Sequence, residues 1–209
     1  MRRVALSLFA FLTLGLVACT AADNVPPASA PQVITLDAQA SQLRSDFNAS
    51  KGSVRLLLIV DPACAVCLRG FDDVNGSLLA KLTDPRLQTF VVHTSVIGGS
   101  VDDVAPASEL LHNAHVRHYW DPSGDFGRQV SESLQLKRGN AVVYAWDVWM
   151  IYDDTALMSE KDVPQPTLFM HQLPGLRGQT DRPFLDSDVF AARARALLAQ
   201  LPAVPATDK

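Results

Sequence analysis

Residues 54–60 (VRLLLIV) form an apolar run broken only by Arg55. A run of that length without a polar face is the pattern of a strand buried on both sides. Lys51-Gly52 breaks the chain before it and Asp61-Pro62 ends it. Ahead of it, residues 37–50 (DAQASQLRSDFNAS) space their few apolar positions at helical intervals, with Asp37 as the expected N-cap. After it, Val66, Cys67, Phe71, Val74, Leu78, Leu79 and Leu82 fall at helical spacing over 64–82, although Gly70 and Gly76 weaken that helix. A second strand is expected over 87–96, a helix over 104–116, a turn at Asp121-Pro-Ser-Gly and a short helix to about Leu134. In 141–152 (AVVYAWDVWMIY), Tyr144, Trp146, Val148, Met150 and Tyr152 alternate with Ala145, Asp147, Trp149 and Ile151, which predicts one long strand. Asp153-Asp154 predicts a hairpin turn, 167–173 the returning strand and 186–201 a closing amphipathic helix. The order is helix, strand, helix, strand, helix, then strand, strand, helix. Strands that alternate with helices imply an α/β layer structure with right-handed crossovers.

The N-terminus follows a different pattern. Arg2 and Arg3 precede an apolar stretch, 4–18, interrupted only by Ser7, Thr13 and Gly15. A basic start followed by a short apolar region is the pattern of a secretory signal, and it is shorter than the roughly 20 residues a span needs. It ends in Leu16-Val17-Ala18-Cys19, which resembles the lipobox of bacterial lipoproteins. The resemblance implies cleavage after residue 18 and lipidation of Cys19, with buried acyl chains contributing about 0.8 kcal/mol per methylene. Residues 19–32 read as a lipidated flexible tether, 33–201 as one domain and 202–209 as a frayed tail. The expected location is the bacterial cell envelope, on the periplasmic side. With Thr20 rather than Asp after the cysteine, the sequence resembles the Gram-negative lipoproteins sent on to the outer membrane, which favours that membrane over the inner. The formal charge of −4 becomes −6 once Arg2 and Arg3 are removed, and that acidity argues against a nucleic-acid partner.

The chain has three cysteines, Cys19, Cys64 and Cys67. With Cys19 assigned to lipid, the other two form a lone CxxC. In an oxidising compartment this pair can form a disulfide, but so short a loop constrains the unfolded chain little. Chemistry is therefore favoured over stapling. The pair sits where a buried strand ends and a helix begins. Unpaired N–H groups and the helix dipole there favour a thiolate. Cys64 would be the accessible nucleophile, and Cys67, one turn on, the inward resolving thiol.

At this strand, turn and CxxC, the sequence resembles the thioredoxin-like superfamily, over roughly 33–201 and mostly in element order. It looks most like exported, membrane-tethered members. The resemblance implies an α/β three-layer sandwich with a central mixed β-sheet flanked by helices. It also implies thiol–disulfide oxidoreductase activity, with Cys64 attacking and Cys67 resolving. Two departures are visible: Ala63 replaces the usual Trp, and Ala65-Val66 replaces the usual Gly-Pro. The family places a cis-proline beside the cysteines. Pro166-Thr167-Leu168 matches its signature, but the element order puts Ala145-Trp146-Asp147 there, and that alignment is preferred. The substrate-docking edge is then altered.

Asp147, an acid within an apolar strand, is either a proton carrier near the cysteines or a carboxylate satisfied by backbone in a crevice. Arg69, on the first turns of the helix after the CxxC, either helps a thiolate or is solvent exposed. His112, His115 and His118 are spaced by three, but His118 falls in a following strand, so they make a poor metal site. The aromatic group Trp120, Tyr144, Trp146, Trp149 and Tyr152 reads as core. The candidate site set is therefore Cys64 and Cys67, supported by Asp147, Trp146, Pro166 and His171, with no cofactor and no assigned metal. Three functions fit. The leading one is an exported thiol–disulfide oxidoreductase acting on exported protein thiols or disulfides with an unidentified redox partner. The second is a copper-binding or delivery protein using Cys64, Cys67 and His171, by resemblance to the copper-delivery branch. The third is an interaction module whose cysteine pair is idle.

Overall fold

The computed structural model describes residues 31–111 and 113–203. The signal, Cys19, nearly all of the tether and most of the tail lie outside the described residues.

The apolar run becomes β2 (Val54–Val60), buried at every position. Successive side chains of a strand point to opposite faces, and here both faces are covered. Leu57 and Ile59 join Phe47, Phe90, Tyr119, Phe126 and Tyr152 in one core layer. Val54, Leu56, Leu58 and Val60 join Phe71, Trp149, Phe190 and Leu197 in the other. Helices α1 (Ser41–Ala49) and α4 (Asp125–Ser133) supply the first layer, and α2 (Ala65–Ser77) and α5 (Ser187–Leu198) the second. Each fully buried Leu, Val or Phe contributes about 1.5–3 kcal/mol.

The strands β1 (Val33–Thr35), β3 (Leu87–Thr94), β4 (Val116–Asp121), β7 (Val148–Tyr152) and β8 (Leu168–His171) complete a six-stranded sheet with β2, in the order β1-β4-β3-β2-β7-β8. Neighbours from β1 to β2 are parallel, whereas β7 runs antiparallel to both β2 and β8. Helix α3 (Val101–Glu109) connects β3 to β4. This is the expected α/β sandwich with a central mixed sheet flanked by helices.

Several boundaries differ from the sequence expectation. The long strand over 141–152 is not one strand. Its start pairs in a small hairpin, β5 (Lys137–Arg138) with β6 (Ala141–Val142), and only 148–152 joins the main sheet. Between them α4 captures the chain: Ala145 N–H donates to Ser131 Oγ at 2.7 Å. A Cβ on Gly127 would lie 2.5 Å from the Ala145 carbonyl oxygen, so only glycine permits that approach. The tight hairpin at Asp153-Asp154 is instead a long excursion, 153–167. Buried Arg55 holds it by donating to the Ala156 carbonyl at 2.7 Å and to that of Asp153. Buried Arg44 donates to the Ser159 and Asp162 carbonyls. The helix expected over 104–116 ends at Glu109, because Thr89 N–H already bonds the His115 carbonyl in the β ladder. Strand β1 is absent from the expected element order, and β4 is anticipated only by the placement of His118 in a strand after the helix. At α1, Ala40 is the N-cap residue with φ 51°, while Asp37 accepts from Ser41 N–H at 2.9 Å.

Candidate functional site

Where β2 ends, Asp61 turns the chain into α2. Its buried carboxylate accepts backbone N–H groups from Ala63 at 2.9 Å, Ile97 at 2.8 Å and Gly99 at 3.4 Å. This ties the segment before the cysteines to the loop after β3. A Cβ on Gly99 would come within 2.3 Å of Asp61 Oδ1. Sequence reasoning missed Asp61 as a site residue. Its signal is an acid closing a nearly continuous apolar strand three positions before a cysteine.

Cys64 is the N-cap of α2, and its Sγ accepts the Cys67 N–H at 3.1 Å. An N-cap side chain that satisfies an orphan helix donor is an ordinary stabilising device; here the acceptor is also a nucleophile. Both cysteines are free and buried, with 6% of Cys64 and 0% of Cys67 exposed. Cys64 keeps the narrow contact with solvent, and Val66, Val96, Ile97 and Val101 are exposed on the adjoining segments. The Cys64 thiol is lowered to about 7, chiefly by the Cys67 side-chain hydrogen bond and further by backbone N–H donors, against the opposing effect of burial. Burial, then the Cys64 hydrogen bond and the Asp147 charge, push the Cys67 thiol far up.

Asp147 immediately precedes β7, and Trp146 beside it packs against both core layers. Because β7 pairs with β2 through Val148 opposite Ile59, Asp147 is delivered to the cysteine end of the sheet. The Cys64 and Cys67 sulfurs and an Asp147 carboxylate oxygen all lie within 4.8 Å of one another. Asp147 is 1% exposed, and its Oδ1 accepts the Trp149 Nε1–H at 3.0 Å. The carboxylate is thus held by an indole and not by backbone. Burial raises its pKa to about 6, opposed by the hydrogen bonds from Trp149 and Cys67.

Trp149 reads from sequence as core, and the structure adds this second task. Its indole packs edge-on to Phe71 at 5.7 Å. A Cβ on Gly70 would meet its ring at 2.5 Å, so the glycine that weakens α2 is what lets the indole lie against it.

The remaining candidates lie elsewhere. Among the described residues there is no cis peptide bond. Pro166 precedes β8 at the opposite end of β7 from Asp147, since Leu168 pairs with Ile151. His171 is buried, and both its ring nitrogens are used by backbone: Nδ1 accepts from Leu173 N–H at 2.9 Å and Nε2 donates to the Arg182 carbonyl at 3.0 Å. A ligand set of Cys64, Cys67 and His171 is therefore not assembled; Asp147 stands where the third ligand was expected. Arg69 is exposed. His112 lies outside the described residues. His115 precedes β4, and His118 is buried in it, with Nδ1 3.1 Å from His93 Nε2. His93 on β3, missed from sequence, packs edge-on to Phe71. A cavity of about 430 Å³ lined by Arg44, Asn48 and Met158, and one of about 340 Å³ around Pro166, have no cysteine in their walls. The chemistry sits at a nearly covered surface thiol.

No protein-family description matches this chain, and no curated protein does. Solved structures similar to it include the following two. One is a secreted Mycobacterium tuberculosis disulfide oxidoreductase homologous to E. coli DsbE, at 14% identity and a TM-score of 0.42 over 71% of this chain and 85% of that one. The other is a pneumococcal exposed lipoprotein thioredoxin from Streptococcus pneumoniae, at 15% identity and a TM-score of 0.40 over 71% of this chain and 88% of that one. What the site can do follows from its own atoms.

Proposed function

We propose that this protein is an exported thiol–disulfide oxidoreductase. The observation that carries the reading is the arrangement of Cys64 at the N-terminus of α2, with Cys67 and the carboxylate of Asp147 both within 4.8 Å of it. The Cys64 thiolate attacks one sulfur of a substrate disulfide. A Cys64–substrate bond forms, and the first substrate sulfur leaves as a thiolate. Cys67, too buried to ionise unaided, passes its proton to Asp147 and attacks Cys64 Sγ. The second substrate sulfur leaves, and two electrons have moved from the protein pair to the substrate. Run in reverse, the same steps oxidise a dithiol.

Asp147 acts in the second half of this sequence. Asp147→Asn is expected to slow resolution of a preformed mixed disulfide by about 100-fold, at the lower end of general-base effects, while leaving the first attack by Cys64 nearly intact. Stopped-flow single-turnover measurements separate the two steps. Equal slowing of both would sink the assignment of Asp147 to resolution.

The substrates proposed are exported proteins within reach of a lipid-anchored domain. This rests on the basic start, the apolar stretch and the Leu16-Val17-Ala18-Cys19 motif. Cys19→Ser is expected to abolish metabolic labelling by a fatty acid and to move the protein from the membrane to the soluble fraction. Density separation of inner and outer membranes tests the preference for the outer one that Thr20 suggests. Retention of label in Cys19→Ser would remove the anchor from the proposal.

A further inference from the structure

The pocket shared by Cys64, Cys67 and Asp147 gathers three groups that are anionic when deprotonated, and among the described residues no salt bridge reaches Asp147. Three anions in a buried space are costly unless paired. Protons supply one solution, and a cation supplies another. We propose that the reduced pair binds one zinc-type divalent cation through Cys64 Sγ, Cys67 Sγ and one carboxylate oxygen of Asp147. Binding rests only on the reduced pair and not on the oxidoreductase reading.

The geometry fits that assignment. The three donor atoms lie within 4.8 Å of one another. Tetrahedral zinc with bonds of about 2.0–2.3 Å holds its ligand atoms roughly 3.5–3.8 Å apart, so a closing movement of about 1 Å completes the set. The Trp149 indole N–H on Asp147 Oδ1 and the Cys67 N–H on Cys64 Sγ orient a ligand atom each, as outer hydrogen bonds do at metal sites. The small exposure of Cys64 provides access and a fourth position for water. Gln172, which follows β8, places its Oε1 beside Gly70 of α2, where it is buried without a hydrogen-bond partner among the described residues. Two thiolates with one carboxylate form a harder set than the sulfur-rich ones that suit Cu(I), which favours the zinc type.

Binding releases the protons of both thiols, and of Asp147 where it is protonated, and no electron moves. Formation of the Cys64–Cys67 disulfide consumes both thiolate ligands. Metal and disulfide therefore exclude each other, and a bound cation holds the pair reduced and silent.

The full-length protein, reduced with a phosphine, is titrated with Cd²⁺ while sulfur-to-metal charge-transfer absorption is followed. Zn²⁺ affinity is measured by competition with a chromophoric chelator. One equivalent is expected to bind to the dithiol and none to the disulfide form. Asp147→Asn is expected to weaken Zn²⁺ binding at least about 10-fold, and Asp147→Glu to recover part of it. Absence of a charge-transfer band at one equivalent overturns the proposal, as does an Asp147→Asn affinity equal to wild type. Turnover of a test disulfide in chelated buffer, measured on the same samples, keeps the two readings apart. Turnover without metal binding removes the cation site alone, and binding without turnover removes the oxidoreductase reading alone.

Discussion

On the proposed function, Cys64→Ser is expected to reduce turnover of a test disulfide to the uncatalysed rate, whereas Cys67→Ser is expected to keep the first attack and accumulate a stable mixed disulfide with the substrate. This is the largest effect the site predicts, because one sulfur carries the nucleophile and the other the only way off it. The asymmetry follows from environment. Cys64 accepts the Cys67 N–H at the start of α2 and retains 6% exposure, while Cys67 is sealed. A pH profile adds an independent check. With the Cys64 thiol lowered to about 7, the thiolate fraction rises with pH and is half-formed near that value. Alkylation of the reduced protein should follow the same curve, at one cysteine only, with Cys67 modified solely after unfolding. Mass spectrometry of the alkylated chain reads both. Equal labelling of the two cysteines at pH 7 would contradict the assignment of roles.

Trp149→Ala is the largest expected loss of stability near the site. The side chain is fully buried, stacks edge-on to Phe71 and lies against Gly70. Truncating a buried Trp costs about 3–5 kcal/mol. For a domain of this size each kcal/mol lowers Tm by about 2–4 °C, so a fall of roughly 6–20 °C is expected by calorimetry. Trp149→Phe separates packing from hydrogen bonding, since it keeps a ring and removes the donor to Asp147 Oδ1. The Asp147 pKa is already raised from 3.8 to about 6. Between those values the folded state holds a proton that the unfolded chain has released, so stability falls as pH rises through that window and is level above it. Loss of the indole donor raises the carboxyl further, and in Trp149→Phe the decline extends to higher pH. A stability–pH curve identical to wild type would mean that the indole hydrogen bond does not hold the carboxylate.

Local pattern reaches a definite depth in this chain. The run 54–60, the helix after it and the CxxC at their junction are legible because burial on both faces and helix-start chemistry are written in consecutive residues. Asp147 is legible as an anomaly, a charge in an apolar stretch, and its place beside the cysteines follows from element order. Its partner is not. Trp149 looks like any core aromatic, and Gly70 looks like a helix fault. Only packing shows that the two faults fit, the indole filling the space a Cβ would occupy and turning its N–H to the acid.

The excursion 153–167 was misread for a similar reason. Two adjacent acids suggest a turn, whereas Arg55 and Arg44, far away in sequence, supply the donors that hold a longer path. The long strand failed because Gly127 and Ser131 on α4 capture residue 145. His171, a ligand only in the copper-binding alternative, has both its nitrogens bonded by backbone groups of residues 173 and 182.

By itself, the sequence determined the layer architecture and the position of the cysteine pair at a helix start. These depend on periodicity, spacing and composition, which are properties of neighbouring residues. The tertiary structure alone decided what holds Asp147 beside the two sulfurs, and that Asp61 clamps the cysteine turn to the β3–α3 loop. Those depend on strand register and on how closely side chains of distant segments can approach, which no local pattern encodes.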